Sequence, residues 1–335
     1  MRLATFVPVG GRAGRPGFVL GDYLLEAGAF LRWARRRGLP GVARLRRQAL
    51  PETMVDLLAG GWEALLAWRD LLAQVEGDPP LLAELRAQGA LWPMQEVRLR
   101  PPVERPPSIR DFMGFEGHVR NARLRRGGDV PPRWYEMPVF YFSNPGALYG
   151  PEETVPCPSY TERLDFELEL ACVITGTGRN IPPERAEEHI AGFTLFNDWS
   201  ARDIQFREME VGLGPAKGKD FASSLGPWLV TLDEFQDRAL GDGRYDIPLT
   251  ARVNGRTYTE GNYREVHWTF RQMVAHASRE VTLYPGDILG SGTVTWGCIL
   301  ELEPQGFPWL RPGDVVELEA GGIGVLRNRI GRRPA

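Results

Sequence analysis

The residues best suited to chemistry lie in one stretch, 193–220, which contains Asp198 and both lysines of the chain. The chain has 40 lysines and arginines, and only Lys217 and Lys219 are lysines. A lysine ammonium is a compact charge whose pKa shifts readily on burial, and arginine does not replace it in that role. We therefore expect a lysine of this stretch to act in a functional site; two surface lysines retained by chance are the alternative.

Acidic and apolar residues alternate in the run from Leu164 to Leu170. Successive side chains of a β-strand point to opposite faces, so Asp165, Glu167 and Glu169 are predicted to share one face. Residues two apart lie roughly 7 Å from each other, so the two glutamates can reach one ion between them. Taken alone, the pattern is also typical of a strand that faces solvent.

A second apolar strand ends at Asn197-Asp198, and Ser200 to Asp203 has the pattern of a helix start with Ser200 as N-cap. This prediction places Asp198 at the carboxyl end of its strand. Carboxylates from two neighbouring strands form an all-oxygen site, which favours Mg²⁺, Mn²⁺ or Ca²⁺ over zinc. The sequence therefore predicts a site for a hard divalent cation.

Histidine is scarce, with 4 in the chain, and His118 stands seven residues after Asp111. A lone histidine usually has a structural role. Beside carboxylates that bind a metal it becomes the best general-base candidate, because its pKa lies close to working pH.

The elements that must position these residues are mostly strands. Alternation and turn residues predict strands at 164–174, 191–197, 228–231, 247–253, 288–295, 299–302 and 315–319, and helices at 183–190, 201–209 and 263–277. Residues 1–100 instead begin with two short strands and continue with a helical pattern of Trp and Leu. The proline-dense run 98–107 cannot continue a helix. We predict an α+β fold, mostly β, with a small α/β N-terminal domain (1–100) that ends in a proline-rich linker, and a catalytic domain (101–335).

Composition excludes several classes of protein. The 335 residues carry 40 basic and 43 acidic side chains, so no global charge points to a nucleic-acid or membrane partner. The three cysteines are far apart, which argues against a disulfide framework and a zinc site. The N-terminal segment lacks the pattern of a signal peptide, and no apolar run reaches the ~18 residues of a membrane span. We expect a cytoplasmic protein.

The motifs, taken in chain order, resemble those of the fumarylacetoacetate hydrolase family. They are Asp111-x6-His118, Asp165-x-Glu167-x-Glu169, the run NDWSARDIQ at 197–205, Gly218-Lys219-x-Phe221, Ser291-Gly292-Thr293 and Glu301. NDWSARDIQ is a long and specific match, and the resemblance covers the chain from about residue 108 to its end. It implies a mixed β-roll catalytic domain, a divalent metal (Mg²⁺, or Ca²⁺ or Mn²⁺) and usually a homodimer.

The resemblance implies a role for each matching residue. The residues that resemble metal ligands are Glu167, Glu169, Asp198 and, as the fourth carboxylate of the fumarylacetoacetase branch, Asp111. Those that resemble catalytic groups are the general base His118, the acid Glu301 that orients it, and the oxyanion donors Lys219 and Gln205. Those that resemble substrate contacts are Tyr141 and Thr293.

Three positions next to these motifs bear on the substrate and the reaction. Asn121 stands where family members acting as decarboxylases or acylpyruvases often carry Glu, and fumarylacetoacetase has Asn. Met113 and Met209 replace tyrosines that contact the substrate of that enzyme, and its carboxylate-binding arginine falls near Gly127, with Arg125 and Arg126 only adjacent. Because methionine is apolar and adaptable, we expect Met113 and Met209 to line a site for a less polar acyl tail.

The resemblance implies hydrolysis of a C–C bond in a 1,3-dicarbonyl 2-oxo acid, of the fumarylacetoacetate or acylpyruvate type, by a water that His118 activates. The alternative is a metal-dependent isomerase, decarboxylase or hydratase of 2-oxo or 2-hydroxy dienoic acids, since these reactions use the same enolate chemistry. A metal-stabilised binding protein without catalysis is a third reading. The ordered His, Lys and four carboxylates argue against that third reading, because they would be idle in it.

Overall fold

The computed structural model describes residues 1–46, 48–125 and 127–333. Its strands are β1 (Arg2–Pro8), β2 (Arg15–Leu20), β3 (Tyr23–Glu26), β4 (Leu91–Pro93), β5 (Val97–Arg100), β6 (Ile109–Phe112), β7 (Phe140–Ser143), β8 (Leu148–Tyr149), β9 (Thr154–Val155), β10 (Leu164–Asp165), β11 (Leu168–Ile174), β12 (Gly178–Arg179), β13 (Ile190–Asn197), β14 (Ser200–Ala201), β15 (Ser223–Thr231), β16 (Pro248–Val253), β17 (Arg256–Asn262), β18 (Thr282–Leu283), β19 (Ile288–Gly290), β20 (Val315–Ala320) and β21 (Gly324–Ile330). Its α-helices are α1 (Ala27–Arg37), α2 (Met54–Leu58), α3 (Gly61–Leu72), α4 (Pro79–Ala87), α5 (Glu116–Leu124), α6 (Arg202–Glu210), α7 (Phe270–Ala277) and α8 (Ile299–Leu302). Short 3₁₀ helices span Val42–Leu45, Met94–Glu96, Pro132–Tyr135, Pro183–His189, Leu232–Arg238, Tyr263–Glu265 and Glu303–Gln305.

One mixed sheet runs through the whole molecule. Among the residues described it has 12 strands in the order β4-β3-β2-β1-β15-β13-β11-β19-β6-β7, with β5 beside β1 and β8 beside β15. The pairings of β19 with β6 and of β15 with β8 are parallel, and those along the centre are antiparallel. A second sheet has the order β17-β16-β20-β21-β9. The prediction of an α+β fold that is mostly β is confirmed.

Both faces of the central strands are buried, which explains why β11 and β13 are almost continuous apolar runs. On one face Leu168 and Leu170 join a core that contains Leu249 of the second sheet. On the other face Ala171 lies in a core that contains Trp68 of α3. A strand held between two cores keeps its register, because a slip of one residue would exchange every side chain between the faces.

Residues 1–100 extend the same sheet. β1 pairs with β15, and β5 pairs with β1, so the proline-dense run begins within a strand of this sheet. The core under α1 and α3 also contains Phe196 and Leu225 from beyond residue 100. The sheet and this core both continue across residue 100, and the division into two domains there stays a prediction.

The structure corrects three predicted strands. The strand predicted at 288–295 ends at Gly290. Residues 299–302, predicted as a strand, form the short helix α8. The cause is a distant group: Asp165 accepts hydrogen bonds from the N–H groups of Ile299 and Leu300, at 2.7 and 3.0 Å. The predicted strand 164–174 is interrupted at Phe166 and Glu167, because β10 pairs with β14 whereas β11 pairs with β13.

The predicted cap of α6 is also wrong. α6 begins at Arg202 with Ala201 as N-cap, and Ser200 lies in β14. The Asp203 carboxylate, expected at the third helical position, accepts a hydrogen bond from the Thr161 hydroxyl at 2.5 Å. The pairing of Ser200 with Asp165 across β14 and β10 fixes this start. Among the described residues, no helix has both the length and the apolar character needed to cross a membrane.

Candidate active site

Neighbouring strands bring four carboxylates to one end of the central sheet. Asp198 directly follows β13, Glu167 directly precedes β11, Glu169 lies within β11, and Asp111 lies within β6. The sheet order β13-β11-β19-β6 therefore places them side by side. All four are buried, with exposed fractions of 0 to 5%. The predicted metal ligands thus come together, although they are up to 87 residues apart in sequence, from 111 to 198.

β19 lies between β11 and β6, and it leaves space that the carboxylates of those two strands fill. Its residue at this level, Gly290, pairs with Asp111. A Cβ at Gly290 would lie 2.5 Å from Asp111 Oδ1 and 3.1 Å from Glu169 Oε2. Because glycine has no side chain, one oxygen each of Asp111, Glu167 and Glu169 can lie within 4.8 Å of one another.

The donor set fits a hard divalent cation. Carboxylate oxygens are the ligands that Mg²⁺, Mn²⁺ and Ca²⁺ prefer. Within the described part of the chain, the buried Asp111 Oδ1 has no hydrogen-bond partner. Burial, followed by the Asp198 and Glu167 charges, raises the pKa of Asp111 well above its ordinary value, and burial, followed by the Asp111 charge, does the same for Glu169. Buried carboxylates that repel one another are what a cation between them would stabilise.

Lys219 lies beside the other two carboxylates. Its Nζ is 2.5 Å from Glu167 Oε2 and 2.6 Å from Asp198 Oδ2, and the residue is 3% exposed. Burial alone lowers the pKa of Lys219, but the Asp198 and Glu167 charges outweigh it and raise the pKa above its ordinary value. Burial alone raises the pKa of Glu167, but the Lys219 and Arg202 charges lower it to about 2. Both partners are therefore charged.

The second lysine is an ordinary surface residue. Lys217 is exposed and pairs with Asp220, with Nζ 3.0 Å from Oδ1. The expectation of a functional lysine in this stretch therefore rests on Lys219. Gly218 allows its loop to lie against α6, since a Cβ there would be 2.7 Å from the Gln205 backbone nitrogen.

Two of the four residues expected to contact substrate bind carboxylates here. The Tyr141 hydroxyl donates to Asp198 Oδ2 at 2.5 Å, and the Thr293 hydroxyl donates to Glu169 Oε1 at 3.3 Å. Burial, followed by the Asp198 charge, raises the pKa of Tyr141 well above its ordinary value, so the phenol keeps its proton. Both residues line the cavity described below, and their contact with substrate stays a prediction.

His118 and Glu301 form a buried pair at the edge of the carboxylate cluster. His118 Nδ1 lies 2.9 Å from Glu301 Oε2. Glu301 Oε1 accepts hydrogen bonds from Asn121 Nδ2 at 2.9 Å and from the Trp296 N–H at 3.0 Å. Burial alone raises the pKa of Glu301, but His118 and these donors outweigh it and lower the pKa, so Glu301 is an anion. An anion at Nδ1 holds the proton on that nitrogen and leaves Nε2 as the acceptor.

Arg202 was not assigned a role from the sequence, although it lies within NDWSARDIQ. It is 2% exposed, and its Nε donates to Asp165 Oδ2 at 2.8 Å. Its Nη1 donates to Gln205 Oε1 at 3.1 Å, and its Nη2 lies 2.8 Å from Glu167 Oε1. Gln205 therefore has its carbonyl oxygen engaged and its amide N–H groups available as donors. Its place within the motif was the available signal, but no local pattern indicates that its partners are Asp165 and Glu167, more than 30 residues earlier.

Most of these groups line one cavity of about 300 Å³, although its described lining does not include Asp198 or Glu301. Its lining includes Asp111, Glu167, Glu169, His118, Lys219 and Gln205, and an apolar part formed by Met113, Val139, Phe140, Phe206, Met209, Pro215 and Leu300. Met113 and Met209 lie in this apolar part as expected, each 39% exposed. Arg125 points elsewhere, to Glu303 and the Leu300 carbonyl, and Arg126 lies outside the described residues.

Comparison with known proteins shows the family of the chain. The family model for the fumarylacetoacetate (FAA) hydrolase C-terminal domain matches residues 108–331. A mitochondrial oxaloacetate tautomerase of Rattus norvegicus is 32% identical over 285 residues, which cover 84% of this chain and 80% of that protein. A fumarylacetoacetase of Arabidopsis thaliana is 29% identical over 356 residues, covering 90% of this chain and 83% of that protein.

Solved structures share the fold. A maleylpyruvate hydrolase from Sphingobium sp. SYK-6, in complex with manganese (II) ion and pyruvate, is 24% identical to this chain. The two superpose with a TM-score of 0.66 over 100% of both chains. The family match covers the segment that carries the carboxylates, His118, Lys219 and Glu301. The chain therefore belongs to the fumarylacetoacetate hydrolase family and is an enzyme of that family.

Proposed function

We propose that this enzyme hydrolyses a C–C bond in a 1,3-dicarbonyl 2-oxo acid of the fumarylacetoacetate or acylpyruvate type. The observation that carries the proposal is that His118 lines one cavity together with the carboxylate cluster and is paired with the buried anion Glu301. An imidazole held in this way can accept a proton from water at Nε2, and the carboxylate stabilises the imidazolium that forms.

A divalent cation is part of the proposal. Asp111, Glu167 and Glu169 would hold it, with Asp198 adjacent, and Mg²⁺ is the expected ion, with Ca²⁺ or Mn²⁺ as alternatives. When bound, the ion supplies Lewis-acid stabilisation to the oxygens of the 2-oxo acid. The related hydrolase that contains manganese (II) ion and pyruvate, itself a 2-oxo acid, supports this assignment.

The remaining roles belong to side chains of this protein. His118 removes a proton from the water that attacks the carbonyl distant from the carboxylate. When the C–C bond of the resulting adduct breaks, its electron pair passes to the enolate of the 2-oxo acid, and the His118 imidazolium returns the proton to that carbon. Lys219 and the Gln205 amide stabilise the oxyanion, a contribution of roughly 3–4 kcal/mol per donor in measured enzymes. Met113 and Met209 accept the acyl tail of the substrate.

Isomerisation, decarboxylation or hydration of a 2-oxo or 2-hydroxy dienoic acid is the second candidate, and the 32% identity to an oxaloacetate tautomerase favours it. Asn121 favours hydrolysis instead, because its amide donates to Glu301. A glutamate at 121 would put a second carboxylate beside Glu301 and change how His118 is held.

Product analysis separates the two candidates. The enzyme with Mg²⁺ is incubated with acylpyruvates, with oxaloacetate and with a 2-hydroxy dienedioate, and the products are identified by ¹H NMR. Pyruvate and a free carboxylic acid in equal amounts, with ¹⁸O from labelled water in that acid, would support hydrolysis. Turnover of the dienedioate or oxaloacetate alone, with acylpyruvates unchanged, would reject it.

The proposal also includes two partners: the small-molecule 2-oxo acid substrate, and a second copy of this chain in a homodimer. Light scattering of the purified protein tests it, since a dimer has twice the chain mass of 37.5 kDa.

A further inference from the structure

We infer that Asp165 is a positioning residue that holds the general-base side and the oxyanion side of the active site in a fixed relation. This inference rests on the proposed function, because the general-base side is defined by the role of Glu301 and the oxyanion side by the role of Gln205. Asp165 is not among the described residues that line the cavity. It therefore acts through the elements that it binds.

The Asp165 carboxylate is fully buried, with 0% exposure, and receives three hydrogen bonds. The Ile299 N–H donates to Oδ1 at 2.7 Å, and the Leu300 N–H donates to Oδ2 at 3.0 Å. Arg202 Nε also donates to Oδ2, at 2.8 Å. Burial raises the pKa of Asp165, and Arg202 and the two N–H groups oppose that effect. One carboxylate thus binds two separate elements, α8 and α6.

The contact with α8 fixes the base side. α8 has only four residues, and its N-cap, Cys298, forms no capping hydrogen bond through its side chain. The first N–H groups of a helix need acceptors, and Asp165 supplies them for the first two residues of α8. The next residue is Glu301, which holds His118. The orientation of the base therefore depends on a carboxylate outside the cavity.

The contact with α6 fixes the oxyanion side. Arg202 is the first residue of α6, and its guanidinium is rigid and planar. With Nε on Asp165, the same plane directs Nη1 to Gln205 and Nη2 towards Glu167. Without Asp165, Glu167 is the carboxylate left within contact of Arg202, and the guanidinium can turn towards it. That rotation would release Gln205 from its hydrogen bond.

The test is the isosteric variant Asp165→Asn. The amide presents an N–H group where an oxygen accepted, so at least one of the three donors loses its partner. We expect kcat on an acylpyruvate to fall about 10²-fold, since a displacement of about 1 Å in a catalytic group has that effect. KM should change by less than about threefold, because the substrate does not contact Asp165.

Asp287 provides a matched control. It is a buried carboxylate at 2% exposure that accepts from the Tyr284 N–H at 2.8 Å and lies 3.8 Å from an arginine, Arg110. Asp287→Asn therefore removes a similar charge away from α6 and α8. If Asp287→Asn and Asp165→Asn lose the same thermal stability, the kcat of Asp287→Asn should still stay within about threefold of wild type.

A double-mutant cycle distinguishes positioning from general destabilisation. If Asp165 acts through Glu301, the kcat losses of Asp165→Asn and Glu301→Gln are not additive, whereas independent effects add. A wild-type kcat for Asp165→Asn, or additive losses, would overturn the inference. If that variant does not fold, Arg202→Lys removes the same connection from the other partner, and its unchanged kcat would overturn the inference equally. If the wild-type enzyme turns over no acylpyruvate, the proposed function is refuted instead. The positioning role can then still be tested, because a crystal structure of Asp165→Asn with Glu301 and Gln205 unmoved would refute it.

Discussion

Glu301→Gln is the most direct test of the proposed base. The substitution preserves size and removes the charge that holds His118. Two donors converge on each oxygen of Glu301: Asn121 and the Trp296 N–H on Oε1, and His118 and the Cys298 thiol on Oε2. Glutamine can offer an acceptor at one end only. Whichever way its amide turns, two donors lose their partner.

The size of the effect follows from these contacts. A hydrogen bond to a charged group contributes about 1.5–3 kcal/mol, which is a factor of roughly 10 to 150 in rate if it is lost in the transition state. If the new NH₂ group faces His118, the imidazole must take the other tautomer, and Nε2 can no longer accept a proton from water. A wrong tautomer costs up to about 10⁴ in a related arrangement. We expect kcat/KM to fall by about 10² to 10⁴.

Initial rates of pyruvate release from an acylpyruvate measure this loss, with thermal unfolding and Mn²⁺ binding as checks that the fold and the ion site persist. Glu303→Gln is the matched control two residues away. Glu303 pairs with Arg125 at the surface, with 39% of its side chain exposed, and such a pair contributes at most about 1 kcal/mol to stability and nothing to the base. A Glu301→Gln enzyme that is folded and has the wild-type kcat/KM would refute the role of Glu301.

Three further predictions follow from the same site. His118→Ala should keep the affinity for the metal ion and lose at least about 10² in kcat, by steady-state kinetics and calorimetry; an unchanged rate would remove the general-base role. Glu167→Ala or Asp198→Ala should abolish both ion binding and turnover, and full activity after exhaustive EDTA treatment would count decisively against the ion. Because folding lowers the pKa of Glu301 below its ordinary 4.5, its contribution to stability is present above pH 4.5 and is lost as pH falls through the folded-state value. The difference in the free energy of unfolding between wild type and Glu301→Gln, from urea titrations, should therefore be larger at pH 7 than at pH 4; a difference independent of pH would contradict the assignment.

The parts of the site that depend on local pattern could be predicted from the sequence. Alternation placed Glu167 and Glu169 two apart at a strand, and the apolar run before Asp198 placed it at a strand end. These signals are local because a strand repeats every two residues. The long motif NDWSARDIQ then identified the family, which the comparison confirms.

The parts that depend on contacts across the sheet could not be predicted. Gly290 does not differ in sequence from any turn glycine, yet its missing side chain is what lets Asp111 and Glu169 meet across β19. Residues 299–302 are apolar enough for a strand, but they form a helix whose first two N–H groups donate to the distant Asp165 carboxylate. The alternation grouped Asp165 with the two glutamates, but the strand is interrupted after it, and Asp165 binds the N–H groups of α8 in addition to the Arg202 that it shares with Glu167.

Buried charge connects these observations. Among the described residues, the site and the positions directly behind it contain six buried carboxylates, Asp111, Asp165, Glu167, Glu169, Asp198 and Glu301, and two buried cations, Lys219 and Arg202. The cations contact Asp165, Glu167 and Asp198. Glu301 is instead hydrogen-bonded by His118 and the donors next to it. Asp111 and Glu169 have no cation in contact among the described residues. Burial raises the pKa of each of these two carboxyl groups well above its ordinary value. A network built only for stability would balance its charges, because an unpaired buried charge costs several kcal/mol. The imbalance lies at the point where the three carboxylate oxygens converge, which is why we propose the cation there.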